Sequence, residues 1–293
     1  SIERLGSSEG LEDLSKISSS LVINNDSAKY HYALQKYLNK KGRPFLARVV
    51  NDDLLLEGFK EYLKVSYPNV DKFVVYMDSM SHGKGRISIS KGLDQVTSLM
   101  PLMGWPLGML NFNNAEIKDF SLLKDLDFTG IALTRVKRDE LEYLKGKPLV
   151  TVYLSSILGG LDDLSFLDGM PINHIRLRYA SNIDKETLKQ FNLKVFSVSS
   201  IYNLSTLGFL SHQENSLEVV VIENCPNVRN FRLLSSLGLK KLVFQPQPND
   251  IGLSILKNST TIERIGPSSF NLMPPEQFWK ELDKKEWAYF KKA

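Results

Sequence analysis

Leu149-Val150-Thr151-Val152-Tyr153-Leu154 is followed, 23 residues on, by Ile172-Asn173-His174-Ile175-Arg176-Leu177, and 21 residues later by Leu193-Lys194-Val195-Phe196-Ser197-Val198. In each stretch the first, fourth and sixth residues are apolar. The same L-x-x-L-x-L spacing occurs seven times in succession. The other triplets are Leu107, Leu110, Phe112; Phe128, Ile131, Leu133; Leu217, Val220, Ile222; and Leu239, Leu242, Phe244. The period runs from 21 to 24 residues, and all 21 positions are apolar in a chain that is 42% apolar. Chance would give that agreement roughly once in 10⁸ trials at a fixed register, so the unit is a structural repeat.

Alternation at the end of each triplet is the pattern of a strand with one covered face. A second apolar strip, spaced by three, fills the other half of the units. It runs through Val96, Leu99, Leu102; Ile117, Phe120, Leu123; Leu161, Leu164, Leu167; Leu204, Leu207, Leu210; and Val228, Phe231, Leu234. That spacing suits a 3₁₀ or loose helical turn. Gly146-Lys147-Pro148 and Gly169-Met170-Pro171 reverse the chain before the next strand. One unit buries too little apolar surface to offset the ordering of its own residues, so neighbours must cover both of its open faces. The expected fold class is therefore α/β, with a continuous parallel sheet.

These residues resemble the leucine-rich repeat family, whose strand motif is L-x-x-L-x-L-x-x-N/C-x-L. The likeness covers residues 86 to 265, with Ile87 and Ile89 as a degenerate first strand and Ile262 and Ile265 as a degenerate last one. It implies a solenoid with the parallel sheet on a concave side and short helical or 3₁₀ arcs on a convex side. Where the family places Asn or Cys, this chain has Ala115, Val136, Ile157, Ala180, Ile201, Cys225 and Gln247. Only Cys225 follows the motif, so irregular turns are expected. The stretches from Val96 to Leu107 and from Pro275 to Lys280 resemble repeat regions attached to bacterial serine/threonine protein kinases. That resemblance implies a sensor or regulatory role and a kinase domain outside this chain.

Outside the repeats, residues 10 to 23, 26 to 40 and 52 to 66 carry apolar spacings of three and four, as in Leu55, Phe59 and Leu63, and predict amphipathic helices. Asp26 and Asn51 are candidate N-caps. Phe73-Val74-Val75-Tyr76-Met77 reads as a strand, and Ser81-His82-Gly83-Lys84-Gly85 as the turn into Arg86-Ile87-Ser88-Ile89-Ser90. Such a hairpin closes the sheet's N-terminal edge. At the far end, Phe270 through Ala293 supplies Phe278, Trp279, Trp287, Tyr289 and Phe290 as a cap. The expected organisation is a helical segment over 1–70, a repeat region with its hairpin over 71–265, and an aromatic-rich cap over 266–293.

The composition removes several function classes. Thirty-seven Lys and Arg against 33 Asp and Glu leave a formal charge of +4, and the lysine pairs are scattered, so no nucleic-acid partner is expected. Ser1-Ile2-Glu3-Arg4 lacks the basic and apolar regions of a signal peptide. The longest apolar run, Leu99 to Leu110, contains Pro101, Gly104 and Pro106, so no membrane span is expected in this chain. The compartment stays open. One cysteine forms no intrachain disulfide. His31, His82, His174 and His212 lie too far apart in sequence for metal-ligand spacing, and no metal or cofactor is expected.

Catalytic motifs are also missing. There is no G-x-S-x-G elbow, and Cys225 lies in a repeat turn. Gly83-Lys84-Gly85 lacks the strand-to-helix context of a phosphate loop. Asp127-Phe128-Thr129-Gly130 opens a repeat strand and has no other kinase motif beside it. Asp162-Asp163 and Asp139-Glu140 read as solvated turn residues. The chain is expected not to be an enzyme, its N-terminal helices included.

What remains is a face. If the triplets point inward, the residues alternating with them line the concave sheet surface. The candidate ligand contacts are Asn111, Asn113, Tyr153, His174, Arg176, Arg178, Ser197 and Glu223. His174, Arg176 and Arg178 share one strand face, and paired guanidiniums suit a carboxylate or phosphate. The expectation is a non-catalytic recognition module for a protein or peptide. The competing expectation is a structural or assembly scaffold that docks through the N-terminal helices.

Overall fold

The computed structural model describes residues 52–78, 86–96, 98–103, 105, 107–113 and 120–284. The predicted helices over 10–23 and 26–40, both N-cap candidates and the turn over 81–85 lie outside the described residues. The chain divides into two compact units, the first drawn from Ser1–Asn111 and Ala115–Phe128, the second from Phe112–Asn114 and Thr129–Ala293.

In the first unit the helix α1 (Asp52–Ser66) matches the predicted span. It buries Phe59 and Leu63 and leaves Val65 in solvent, as an amphipathic helix does. Trp105 packs edge-on against Phe59 at 4.6 Å and lies 5.5 Å from Tyr62. Strands β1 (Val74–Asp78) and β2 (Arg86–Lys91) pair antiparallel, with Met77 opposite Ile87 and Val75 opposite Ile89. Strand β3 (Leu107–Asn113) then adds parallel to β2, with Ile87 beside Leu107 and Ile89 beside Leu110. The predicted hairpin is therefore present, and β1 covers one side of β2. Arg86 fastens β2 by donating to the Leu107 carbonyl at 2.9 Å and to Asp127 at 3.1 Å.

The second unit is built from β4 (Phe128–Thr134), β5 (Thr151–Ser155), β6 (His174–Ala180), α2 (Lys185–Leu188), β7 (Val195–Ile201), β8 (Val219–Glu223), β9 (Lys241–Phe244), α3 (Leu253–Lys257), β10 (Arg264–Gly266) and α4 (Pro275–Asp283). Successive strands pair in parallel. Val152, Ile175, Phe196, Val220, Leu242 and Ile265 stand abreast, as do Leu154, Leu177, Val198, Ile222 and Phe244. All are buried. The triplets thus form two apolar rows on one side of the sheet, and a register shift of one residue would move every one of them to the other face. The connections are 3₁₀ arcs at Arg138–Leu144, Ser165–Leu167, Gly208–Leu210 and Arg232–Ser235, and short helices at α2 and α3. The second strip packs beneath these arcs, with Leu161, Leu164, Leu167, Leu204, Leu207, Leu210, Val228, Phe231 and Leu234 all buried. Among the described residues the fold is α/β, with ten strands, mostly parallel pairing and few helices.

One expectation changes here. The C-terminal ends of β4 to β8 are alike, each with one residue in the left-handed region at φ between 53° and 60°: Arg135, Ser156 and Asn224 just past β4, β5 and β8, and Tyr179 and Ser200 next to last in β6 and β7. Each immediately precedes the position at which the family motif has Asn or Cys. The left-handed step aims that next residue inward, so Val136, Ile157, Ile201 and Cys225 are buried as packing groups. At the far end α4 buries Phe278 and Trp279, two of the aromatic residues named for the cap, together with Leu282, while Phe270 is 96% exposed. Trp287, Tyr289 and Phe290 lie outside the described residues.

Candidate functional site

The face of β5 to β8 opposite the apolar rows carries three rows in register. They are Thr151, His174, Val195, Val219; Tyr153, Arg176, Ser197, Val221; and Ser155, Arg178, Ser199, Glu223. Six of the eight candidate contacts therefore lie on one face of the second unit. Asn111 is on β3, where its Oδ1 is buried and accepts no hydrogen bond among the described residues. Asn113 ends β3, and its side chain lies outside the described residues.

The six differ in what they leave free. Arg176 is exposed, and its Cζ sits 4.9 Å from the centroid of the Tyr153 ring. Stacking steadies a long side chain and leaves the in-plane N–H donors available. Arg178 is half-buried, with Cζ 5.2 Å from the Tyr179 ring, and its Nε is buried without an acceptor. Neither arginine has a carboxylate partner among the described residues. By contrast Arg138 holds Glu142 at 2.8 Å and Asp163 at 2.7 Å, and Arg229 holds Asp250 at 3.1 Å.

The other three are engaged or covered. His174 is half-buried, with Nδ1 2.5 Å from Asn173 Oδ1. Ser197 is 3% exposed, too covered to touch a ligand, which corrects its place among the contacts. Glu223 Oε1 accepts the Ser269 amide at 2.9 Å. It thereby ties down the segment after β10, a feature that repeat spacing does not reveal.

That segment turns back after Gly266, where a Cβ would collide with the Asn271 carbonyl oxygen. Ile265 and Met273 then exchange backbone hydrogen bonds at 3.0 and 2.9 Å. Arg264 donates to the Leu272 carbonyl at 2.8 Å. The turn-forming run Gly266-Pro267-Ser268-Ser269 is the sequence signal for this reversal. The free cluster on the sheet face is thus Tyr153, Arg176 and Arg178.

A depression of about 420 Å³ lies past the ends of β7 to β9 and is lined by Tyr202, Asn224, Cys225, Arg229, Gln245 and Gln247 among others. Burial pushes the Cys225 thiol above its ordinary range, against weaker opposing hydrogen bonds from the Ile201 and Ser200 backbone. A thiol so placed stays protonated at neutral pH and is a poor nucleophile. Among the described residues no group of three or more His, Cys, Asp or Glu side chains could hold a metal ion. No helix among them is long and apolar enough to cross a membrane.

Comparison with protein-family models, curated proteins and solved structures finds no match for this chain.

Proposed function

We propose that this chain is a non-catalytic recognition module of leucine-rich-repeat type, binding a protein or peptide on the polar face of its parallel sheet. The observation that carries the reading is Arg176: exposed, stacked on Tyr153, and without a carboxylate among the described residues. An arginine that serves only the fold is consumed by acids and carbonyls, as Arg138 is. It donates to the Asp163 carbonyl at 2.9 Å, pairs with two carboxylates, and lies over the Phe166 ring. Arg176 is held in place yet left open, an arrangement suited to a hot spot. The resemblance to kinase-attached repeats extends the proposal to the sensory or regulatory part of a larger kinase.

The test is a double charge reversal, Arg176→Glu with Arg178→Glu. Binding to peptides selected against the parent chain should fall, with the thermal unfolding midpoint within a few degrees of the parent. Unchanged affinity for every such peptide would defeat the assignment.

A further inference from the structure

Recognition on the sheet face leaves the ligand's chemistry open, and the following inference rests on that reading. Arg176 and Arg178 occupy alternate positions of one strand, so their Cα atoms are about 6.6 Å apart, two residue rises of a parallel strand. Both project from the same face of β6. Neither has a carboxylate partner among the described residues, and Arg178 Nε lacks any acceptor. The buried Nε is out of a ligand's reach, so a ligand oxygen must meet the terminal N–H groups of the guanidinium fork.

The carboxylate in the Arg178 row, Glu223, stands two strands away and is committed to the Ser269 amide. The face therefore presents two guanidiniums with planar donors, neither paired with a carboxylate among the described residues. An extended peptide repeats its side-chain direction every two residues, with nearly the same rise as β6. Carboxylates at alternate positions of such a peptide meet the two guanidiniums in step. A planar carboxylate also matches the planar fork of each arginine.

We propose that Arg176 and Arg178 bind an extended acidic segment of another protein, with Asp or Glu at alternate positions, one carboxylate to each guanidinium.

Panning a displayed library of random nonapeptides against the 293-residue chain, and against its Arg176→Gln/Arg178→Gln variant, tests this. The parent should enrich sequences with Asp or Glu at alternate positions. Synthetic copies should bind the double variant about tenfold more weakly or worse, the effect of removing charge-assisted hydrogen bonds. Changing the acids to Gln should cause a similar loss, and raised ionic strength should weaken the parent complex. Equal binding by a peptide with the same acids at adjacent positions overturns the spacing.

Neutral or basic sequences that only the parent binds would overturn the acidic assignment and keep the sheet face as the recognition surface. The absence of any sequence that distinguishes the two proteins overturns both. Should the double variant fold poorly, Arg176→Gln alone, on an exposed side chain, carries the same comparison.

Discussion

At the scale of single residues, Asp184 does more for the second unit than its exposure suggests. Its Oδ1 accepts the Glu186 amide at 3.1 Å and the Thr187 amide at 3.0 Å, capping α2. Its Oδ2 accepts the Thr187 hydroxyl at 2.7 Å and reaches the preceding connection through the Leu164 amide at 3.0 Å. Burial pulls the carboxyl's pKa upward, but the hydrogen bonds from Leu164, Thr187 and Glu186 outweigh it and hold the group below its ordinary value. A carboxyl depressed in the folded state stabilises above its unfolded pKa, about 3.9, and loses that contribution as pH falls through the folded value. Asp184→Ala should lower the unfolding free energy by about 1–2 kcal/mol at neutral pH. The gap from the parent should narrow as pH falls below the unfolded value, about 3.9, and go on narrowing until the pH has passed the lower folded value. Urea titrations of both proteins at neutral and acid pH check this, and an undiminished gap in acid would show that the charge is irrelevant. Asp184 is not among the candidate N-caps, because a helix as short as Lys185–Leu188 carries too little apolar periodicity to mark its start. Its second bond, to the preceding connection, depends on tertiary placement that spacing does not encode.

At the scale of elements, the left-handed residue at the C-terminal end of each of β4 to β8 sets how the repeat works. Arg135 donates its amide to the Ser155 carbonyl at 3.1 Å, and Ser156 donates to the Arg178 carbonyl at 3.0 Å. Each turn is thus fastened to the next strand. A non-glycine residue at positive φ costs roughly 1–2 kcal/mol, offset here by that bond and by burial of the residue that follows. The strand triplets were legible because strand parity must match a buried face, and the 3₁₀ arcs because every third residue is covered. The left-handed turn was not legible. Its occupants are Arg, Ser, Tyr, Ser and Asn, and none is the glycine that would signal it. The sheet-face candidates followed from parity alone. Parity said nothing about Ser197, which small size and neighbours hide, or about Glu223, which a segment 46 residues downstream occupies. Ser156→Val should destabilise the protein by about 1–3 kcal/mol, since a β-branched residue fits φ 53° poorly. Ser156→Gly should be neutral or mildly stabilising. Thermal midpoints of the two variants give the comparison, and a valine variant as stable as the glycine one would remove the turn from this role.

At the scale of the whole molecule, the question is how a sheet made of similar strands comes to an end. An open edge invites pairing with another chain unless something covers it. In the first unit β1 reverses direction to pair with β2. In the second unit the short β10 is met by Met273 in antiparallel bridging, and α4 lays its apolar side against the last repeat. An aromatic chain carries that contact inward: Phe231 to Phe244 at 4.8 Å, Phe244 to Phe278 at 5.8 Å, and Phe278 to Trp279 at 5.1 Å. The ion pair of Lys257 with Asp283, at 2.6 Å, lies in solvent and adds little beside these rings. Phe278 is fully buried, so Phe278→Ala should cost about 3–5 kcal/mol through lost burial and the cavity it leaves. In an array whose repeats lean chiefly on their neighbours, that loss should fall unevenly. Amide exchange in β9 and β10 should accelerate well before exchange in β6, which keeps both of its neighbours. Uniform acceleration from β5 to β10 would mean that the second unit opens all at once and that α4 stabilises it as a single cooperative block.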